Sequence, residues 1–487
     1  MGRVFFLGTS FLLVLALATA APPTVTLPDS ATVITGTKQT VSGKSLDIYL
    51  SIPFAKPPIG DLRFKDPEPI TNLPPQIDAT QFPLSCYQEQ FLSDEHVHQN
   101  MSEDCLYLNV WAPSQKSNMS VLIFIYGGSF KFGSTDEFMN NPQYLAARTD
   151  MVIVTMNYRV GAFGFIDLKV DGSDGNLGLK DQILAFKWVK KNIRAFGGNP
   201  DSVTISGTSA GSMAVGIHLS IEENSDLFHR AFLQSGTPNS GYFHLSENMI
   251  KREIDAFFHI LNCNASSPTA LQCLQSKSSQ EILDAEYDAL QSFISGLFLP
   301  SFNSKLFPYT SIEDFNKKDI LLNKDILIGT TKDEGSISFA LTNYEFEKDN
   351  ATKQYAIDYF HRTFRKSDSS EFINISKVYL KDVPEHEYDP FGIAFKEAVG
   401  DYWFRCPTFY FSNIMAAKGN KVFFYYFAYQ SEHKANDENT RTHGATHNED
   451  LPYTMGLPRR NAFNYTQEEF EFANTLMDYV GNFSKYG

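Results

Sequence analysis

Four short stretches of this chain carry the residue types that acyl transfer needs. Gly207-Thr208-Ser209-Ala210-Gly211 sets a serine between two glycines. Residues 202–206 ahead of it read as a short buried strand, and Ser212 to Ile217 behind it can open a helix. A serine on such a turn sits in a strained backbone that lifts its hydroxyl clear of the sheet. Glycine is needed on both sides because a side chain there would strike the neighbouring strand or helix. Three fixed positions can recur by chance in a chain of this length, so the reading depends on partners. Tyr126-Gly127-Gly128-Ser129 follows an apolar run, and its small residues let backbone N–H groups approach a developing oxyanion, with the N–H of Ala210 as a further donor. Glu334, after an expected strand at 326–329, is the carboxylate that would orient a base, with Asp333 as its rival. His447 is the base, preferred over nearby His443 because it lies in a loop after the apolar run 422–426.

The elements that must position these residues alternate. Val121–Tyr126 and Met151–Met156 are near-continuous apolar runs, the kind buried on both faces of a parallel sheet. Pro142–Arg148 reads as a crossover helix. Gln182–Ile193 has a helical apolar stripe that stops at Phe196-Gly197-Gly198. Strand and helix in this order imply an α/β fold with a mostly parallel sheet, which binds ligands beyond the carboxyl ends of its strands. Ile326–Gly329 and Val422–Phe427 are expected as later strands, with Phe423–Ala428 buried. Helices over 247–261 and 279–290 would cover the site or form its rim. Phe293, Phe298 and Phe302 either line a pocket or, more commonly, pack in the core. No internal repeat or long linker interrupts residues 21–487, which read as one domain.

A formal charge of −15 over 487 residues excludes nucleic acid as a partner, since a phosphate backbone needs a basic surface. Residues 1–20 have the charged start, apolar centre and small-residue end of a signal peptide. No later segment is long enough for a membrane span, so the chain is expected to be secreted. Secretion makes Cys86, Cys105, Cys263 and Cys273 disulfide candidates by local pairing and leaves Cys406 over. Sequons begin at Asn100, Asn118, Asn264, Asn350, Asn374, Asn464 and Asn482, candidates for glycosylation. Asp94-Glu95-His96-Val97-His98 reads as a solvated loop, and neither a metal nor a cofactor is expected.

The chain resembles the type-B carboxylesterase/cholinesterase family along almost all of residues 21–487. Ser51-Ile-Pro-Phe-Ala-Lys-Pro-Pro-Ile-Gly-Asp-Leu-Arg-Phe64 is similar to its N-terminal signature. Glu103-Asp-Cys-Leu-Tyr-Leu-Asn-Val110, Gly175-Asn-Leu-Gly-Leu-Lys-Asp-Gln182 and the stretch from Phe196 to Gly211 match further blocks. The resemblance implies an α/β-hydrolase fold, a large twisted sheet flanked by helices, acting on a small ester. It implies Ser209 as nucleophile, Glu334 as acid and His447 as base, in the chain order that fold uses. It places Gly128, Ser129 and Ala210 in the oxyanion hole, bridges Cys86–Cys105 and Cys263–Cys273, and pairs Arg63 with Glu103 and Arg159 with Asp181.

Four departures from the pattern shape the expected substrate. Thr208 stands where cholinesterases have glutamate, Ser129 replaces a glycine, and Asn448 follows the base where glycine is usual. No tryptophan lies between Cys86 and Cys105 to hold a choline cation. Thr208 and the missing tryptophan favour a secreted hydrolase of neutral esters over a cholinesterase, the filled triad positions oppose a non-catalytic adhesion protein of neuroligin type, and a secreted lipase stays open as an alternative. Relatives run on past the segment that resembles residues 478–487, so the chain is expected to be truncated, or else Cys406 to be a buried thiol.

Overall fold

The computed structural model describes residues 21–89, 100–169, 175–240, 247–289, 298–317, 322–337, 357, 360, 375, 377–381, 383, 390–431, 444–460 and 465–487. The expected signal peptide, Asp94–His98, Phe293, His443, Asn350, Asn374 and Asn464 lie outside them.

A nine-stranded sheet organises the chain. Its strands are β1 (Thr37–Val41), β2 (Lys44–Pro53), β3 (Tyr107–Pro113), β4 (Met119–Ile125), β5 (Val152–Met156), β6 (Gly198–Thr208), β7 (Arg230–Gln234), β8 (Asp325–Thr331) and β9 (Val422–Phe427). Across the sheet they run β9-β8-β7-β6-β4-β5-β3-β2-β1. Every pair from β9 to β5 is parallel. The remaining pairs, β5 with β3, β3 with β2 and β2 with β1, are antiparallel. The flanking helices include α1 (Gln143–Thr149), α2 (Leu177–Asn192), α3 (Ala210–His218), α4 (Glu247–Ile260), α5 (Ser279–Ala289), α6 (Pro390–Gly400), α7 (Cys406–Ala417) and α8 (Gln467–Tyr486). Residues 121–125 of β4 and all of β5 are buried, as their uninterrupted apolar sequence requires.

The structure corrects three expectations. β9 is not a buried strand: it lies at the sheet's edge with β8 as its partner, and Phe423, Phe424 and Tyr426 are 40%, 43% and 54% exposed. α2 starts at Leu177, five residues before the expected Gln182, and its first turns are buried, with Asp181 paired to Arg159. Cys406 is a free, exposed thiol, not a buried one. Both bridges, Cys86–Cys105 and Cys263–Cys273, are formed. Arg63 meets Glu103 at 2.6 Å, and Arg159 clasps Asp181 through Nε at 2.9 Å and Nη2 at 2.7 Å. Phe298 is core, packed edge-on to Phe257 at 5.1 Å, while Phe302 is half-buried.

Candidate active site

The carboxyl ends of parallel strands deliver the candidate residues to one place. β6 runs straight into Ser209, whose backbone at φ +54°, ψ −123° is one that L-residues avoid. Such a conformation costs on the order of 1–3 kcal/mol and survives only where its surroundings enforce it. Here the Ser209 N–H donates to Gln234 O on β7 at 2.9 Å, and Ser209 O accepts from Met213 N in α3 at 2.9 Å. The flanking glycines are a packing requirement. A Cβ on Gly207 would lie 2.4 Å from the carbonyl carbon of Gly211, and one on Gly211 only 2.1 Å from Ile125 O.

His447 joins the other two side chains. Its Nε2 is 2.8 Å from Ser209 Oγ and its Nδ1 is 2.5 Å from Glu334 Oε2. Glu334 Oε1 accepts the N–H of Thr331 at 2.8 Å, at the end of β8. Glu334 is fully buried, and Ser209 and His447 are 8% and 9% exposed. An ionised carboxylate only accepts, so the Nδ1 of His447 carries the proton and Nε2 is left to accept from the serine hydroxyl. This line of contacts can move a proton off Ser209 and balance the charge that results.

The neighbours that hold these groups were largely invisible in the sequence. Asp333, the rival acid, does not face the imidazole: its Oδ1 meets Lys396 Nζ at 3.1 Å and its Oδ2 accepts Ala445 N–H at 2.9 Å. Phe404 lies against the imidazole with ring centroids 4.2 Å apart. It sits in a π-helical turn, Asp401–Arg405, that links α6 to α7. Thr208 Oγ1 donates to Asn448 Oδ1 at 2.5 Å, so two of the departures from the family pattern touch. Among the other described histidines, His218 is buried against Gln182 at 2.7 Å, and burial pushes its pKa down to about 3.

The loop after β4 borders Ser209 directly, since a Cβ on Gly127 would lie 3.0 Å from Ser209 Cβ. Gly128, Ser129 and Phe130 all have positive φ, at 105°, 57° and 61°. Among the described residues, the N–H groups of Gly128, Ser129 and Ala210 donate to no acceptor, which leaves them for a ligand oxygen. Gln88 closes the loop, donating to Gly133 O at 3.1 Å and accepting Gly133 N–H at 2.7 Å. Tyr126 and Tyr158 stack at 4.5 Å and lock its start, each hydroxyl donating to the other's carbonyl. Beneath it Gly161 N–H donates to Phe130 O at 2.7 Å, and Ala162 N–H to Glu286 Oε2 at 2.9 Å. Burial pushes the Glu286 carboxyl up to about 7, and burial likewise lowers the Lys131 ammonium near it. Nothing local in the sequence marks Gln88, Lys131 or Glu286. Among the described residues no group of side chains is arranged to hold a metal ion.

Comparison with known proteins agrees with this geometry. The model of the carboxylesterase family matches residues 21–487. A cholinesterase of Mus musculus is 34% identical over 478 residues, covering 93% of this chain and 77% of the relative. An acetylcholinesterase of Bungarus fasciatus is also 34% identical, over 456 residues, covering 90% of this chain and 74% of the relative.

Proposed function

The chain belongs to the carboxylesterase family, and from that premise we propose that it hydrolyses neutral carboxylic esters through an acyl-enzyme on Ser209. The observation that carries this reading is the buried line of hydrogen bonds Glu334–His447–Ser209. His447 Nε2 takes the serine proton as Oγ attacks the ester carbonyl, and Glu334 stabilises the imidazolium that forms. The N–H groups of Gly128, Ser129 and Ala210 receive the oxyanion, each such donor lowering the barrier by on the order of 3 kcal/mol. The same imidazole protonates the leaving alcohol and then activates the water that releases the acid.

Choline esters are the second reading, since both relatives carry cholinesterase names. Two features oppose it. Thr208 supplies a neutral hydroxyl beside the nucleophile, and no tryptophan between Cys86 and Cys105 offers a face to a quaternary ammonium. Secretion, with residues 1–20 removed and 21–487 folding as one domain, is part of the proposal. Two disulfides and the exposed sequon positions Asn100, Asn118, Asn264 and Asn482 support it. Among the described residues no helix is long and apolar enough to cross a membrane.

A fluorophosphonate probe followed by peptide mapping tests the mechanism: label is expected on Ser209, and Ser209→Ala is expected to lose both labelling and p-nitrophenyl ester hydrolysis. Activity retained in that variant refutes the assignment. A well-folded wild type inert to the probe would favour an adhesion protein. Comparing acetylthiocholine with an isosteric neutral thioester tests the specificity, and a strong preference for the cation overturns it.

A further inference from the structure

The segment that carries His447 is tied down on both sides, and the two ties correspond. Ahead of the histidine, Ala445 exchanges a pair of bonds with Asp333: Ala445 N–H to Asp333 Oδ2 and Asp333 N–H to Ala445 O, both 2.9 Å. Behind it, Asn448 accepts from the hydroxyl of Thr208 at 2.5 Å. Asp333 immediately precedes Glu334, and Thr208 immediately precedes Ser209. Each anchor thus adjoins a residue that the imidazole itself contacts.

The second tie is built from side chains alone. Thr208 ends β6, paired in register with Gln234 of β7, and is 2% exposed, so its hydroxyl sits at a fixed point in the sheet. Asn448 has φ +65°, the left-handed region that asparagine enters more readily than most residues apart from glycine. Its carbonyl accepts from Leu451 N at 3.1 Å, which commits the chain to the turn that follows. Drawing residues 445–451 away from β6 therefore breaks the Thr208–Asn448 bond. A glycine at 448 would have no side chain for Thr208 to reach, so these two departures from the family pattern belong together.

We propose that Thr208 and Asn448 are positioning residues whose mutual hydrogen bond holds His447 Nε2 within reach of Ser209 Oγ. The proposal rests on the reading of Ser209 and His447 as nucleophile and base. The side-chain bond between Thr208 and Asn448 involves none of the reacting atoms; it joins the residue before the nucleophile to the residue after the base, and so acts through the placement of the imidazole. Thr208 takes this role in place of the charge a glutamate would supply.

Thr208→Val removes the hydroxyl and keeps the shape. It is expected to lower kcat about three- to tenfold, the range for losing one hydrogen bond to a half-buried acceptor, with KM within twofold. Thr208→Ser is expected to restore most of kcat. Because the two side chains act as one contact, Thr208→Val with Asn448→Ala should cost less than the product of the single effects. A readout that needs no turnover is the low-field Nδ1 proton of His447 in histidine-labelled protein. It should shift or broaden in Thr208→Val and return in Thr208→Ser, in protein whose melting curve stays cooperative and well above the assay temperature. An unchanged kcat or imidazole signal in Thr208→Val, multiplicative double-variant effects, or no recovery in Thr208→Ser overturns the proposal. A wild type that the fluorophosphonate leaves unlabelled refutes the hydrolase reading instead, and the imidazole signal still decides the positioning role.

Discussion

Replacing Glu334 by Gln keeps the shape of the site and removes one charge. Both carboxylate oxygens now act as acceptors, Oε2 for His447 Nδ1 at 2.5 Å and Oε1 for Thr331 N–H at 2.8 Å. Glutamine has one acceptor oxygen to offer. With its amide nitrogen towards Thr331, two donors oppose each other in a place closed to solvent. With that nitrogen towards His447, the amide donates to Nδ1, the ring proton moves to Nε2, and Ser209 meets a donor where it needs an acceptor. The lost charge adds to this. Imidazolium and carboxylate centres about 4 Å apart attract by about 4 kcal/mol at an effective dielectric constant of about 20. At about 1.4 kcal/mol per decade, kcat/KM should fall about a thousandfold or more. Glu334→Asp, which keeps the charge, should lose less. The assay is p-nitrophenyl acetate hydrolysis with protein whose melting curve matches wild type. Glu334→Gln within tenfold of wild type, correctly folded, would refute both the role of the carboxylate and this estimate.

Other perturbations test the frame around the site. Replacing Cys86 and Cys105 by Ser releases a cross-link between residues 19 apart, worth about 3 kcal/mol of stability on the chain-entropy model. Because Gln88 holds Gly133 from the same segment, kcat should fall as well; a lower melting temperature with full kcat would show that Gln88 keeps its place unaided. His218 has a folded pKa of about 3 against 6.5 for the free side chain, so the unfolded chain binds a proton that the fold excludes. Stability is therefore lost as pH falls from about 6.5 towards 3, with an upper limit of about 5 kcal/mol. His218→Gln should flatten that loss in denaturant titrations at pH 7 and pH 4, and an unchanged slope refutes the linkage. Gly211→Ala would place a Cβ 2.1 Å from Ile125 O. It should yield little folded protein, and a normal melting curve would overturn the packing argument.

Local sequence specified the strands well and their neighbours poorly. Residues 121–125 and 152–156 are legible because a strand covered on both faces leaves an uninterrupted apolar run. Residues 422–427 form an equally unbroken run, largely aromatic, yet β9 is the outermost strand and Phe423, Phe424 and Tyr426 are exposed. Nothing within six residues can say which strand of a sheet has a second partner. The early start of α2 was hidden for a related reason. The apolar stripe begins only after Asp181, a buried charge whose partner Arg159 lies outside the helix, so hydrophobic periodicity alone starts the helix too late.

The site divides along the same line. The elbow around Ser209 and the small residues of 127–129 were legible because their constraint is steric and local, a Cβ that has no room. The partners were ambiguous because their distinguishing contacts are remote. Asp333 and Glu334 are adjacent and chemically alike; Lys396 and Ala445, 63 and 112 residues on, are what turn Asp333 away from the imidazole. Thr208 and Asn448 make the point most directly. Taken singly, one reads as a lost negative charge and the other as a tolerated swap for glycine. They are 240 residues apart in sequence and 2.5 Å apart in the fold, so each supplies what the other needs. A change at either position should therefore be judged by what it does to the bond between them, and only then by the charge it adds or removes.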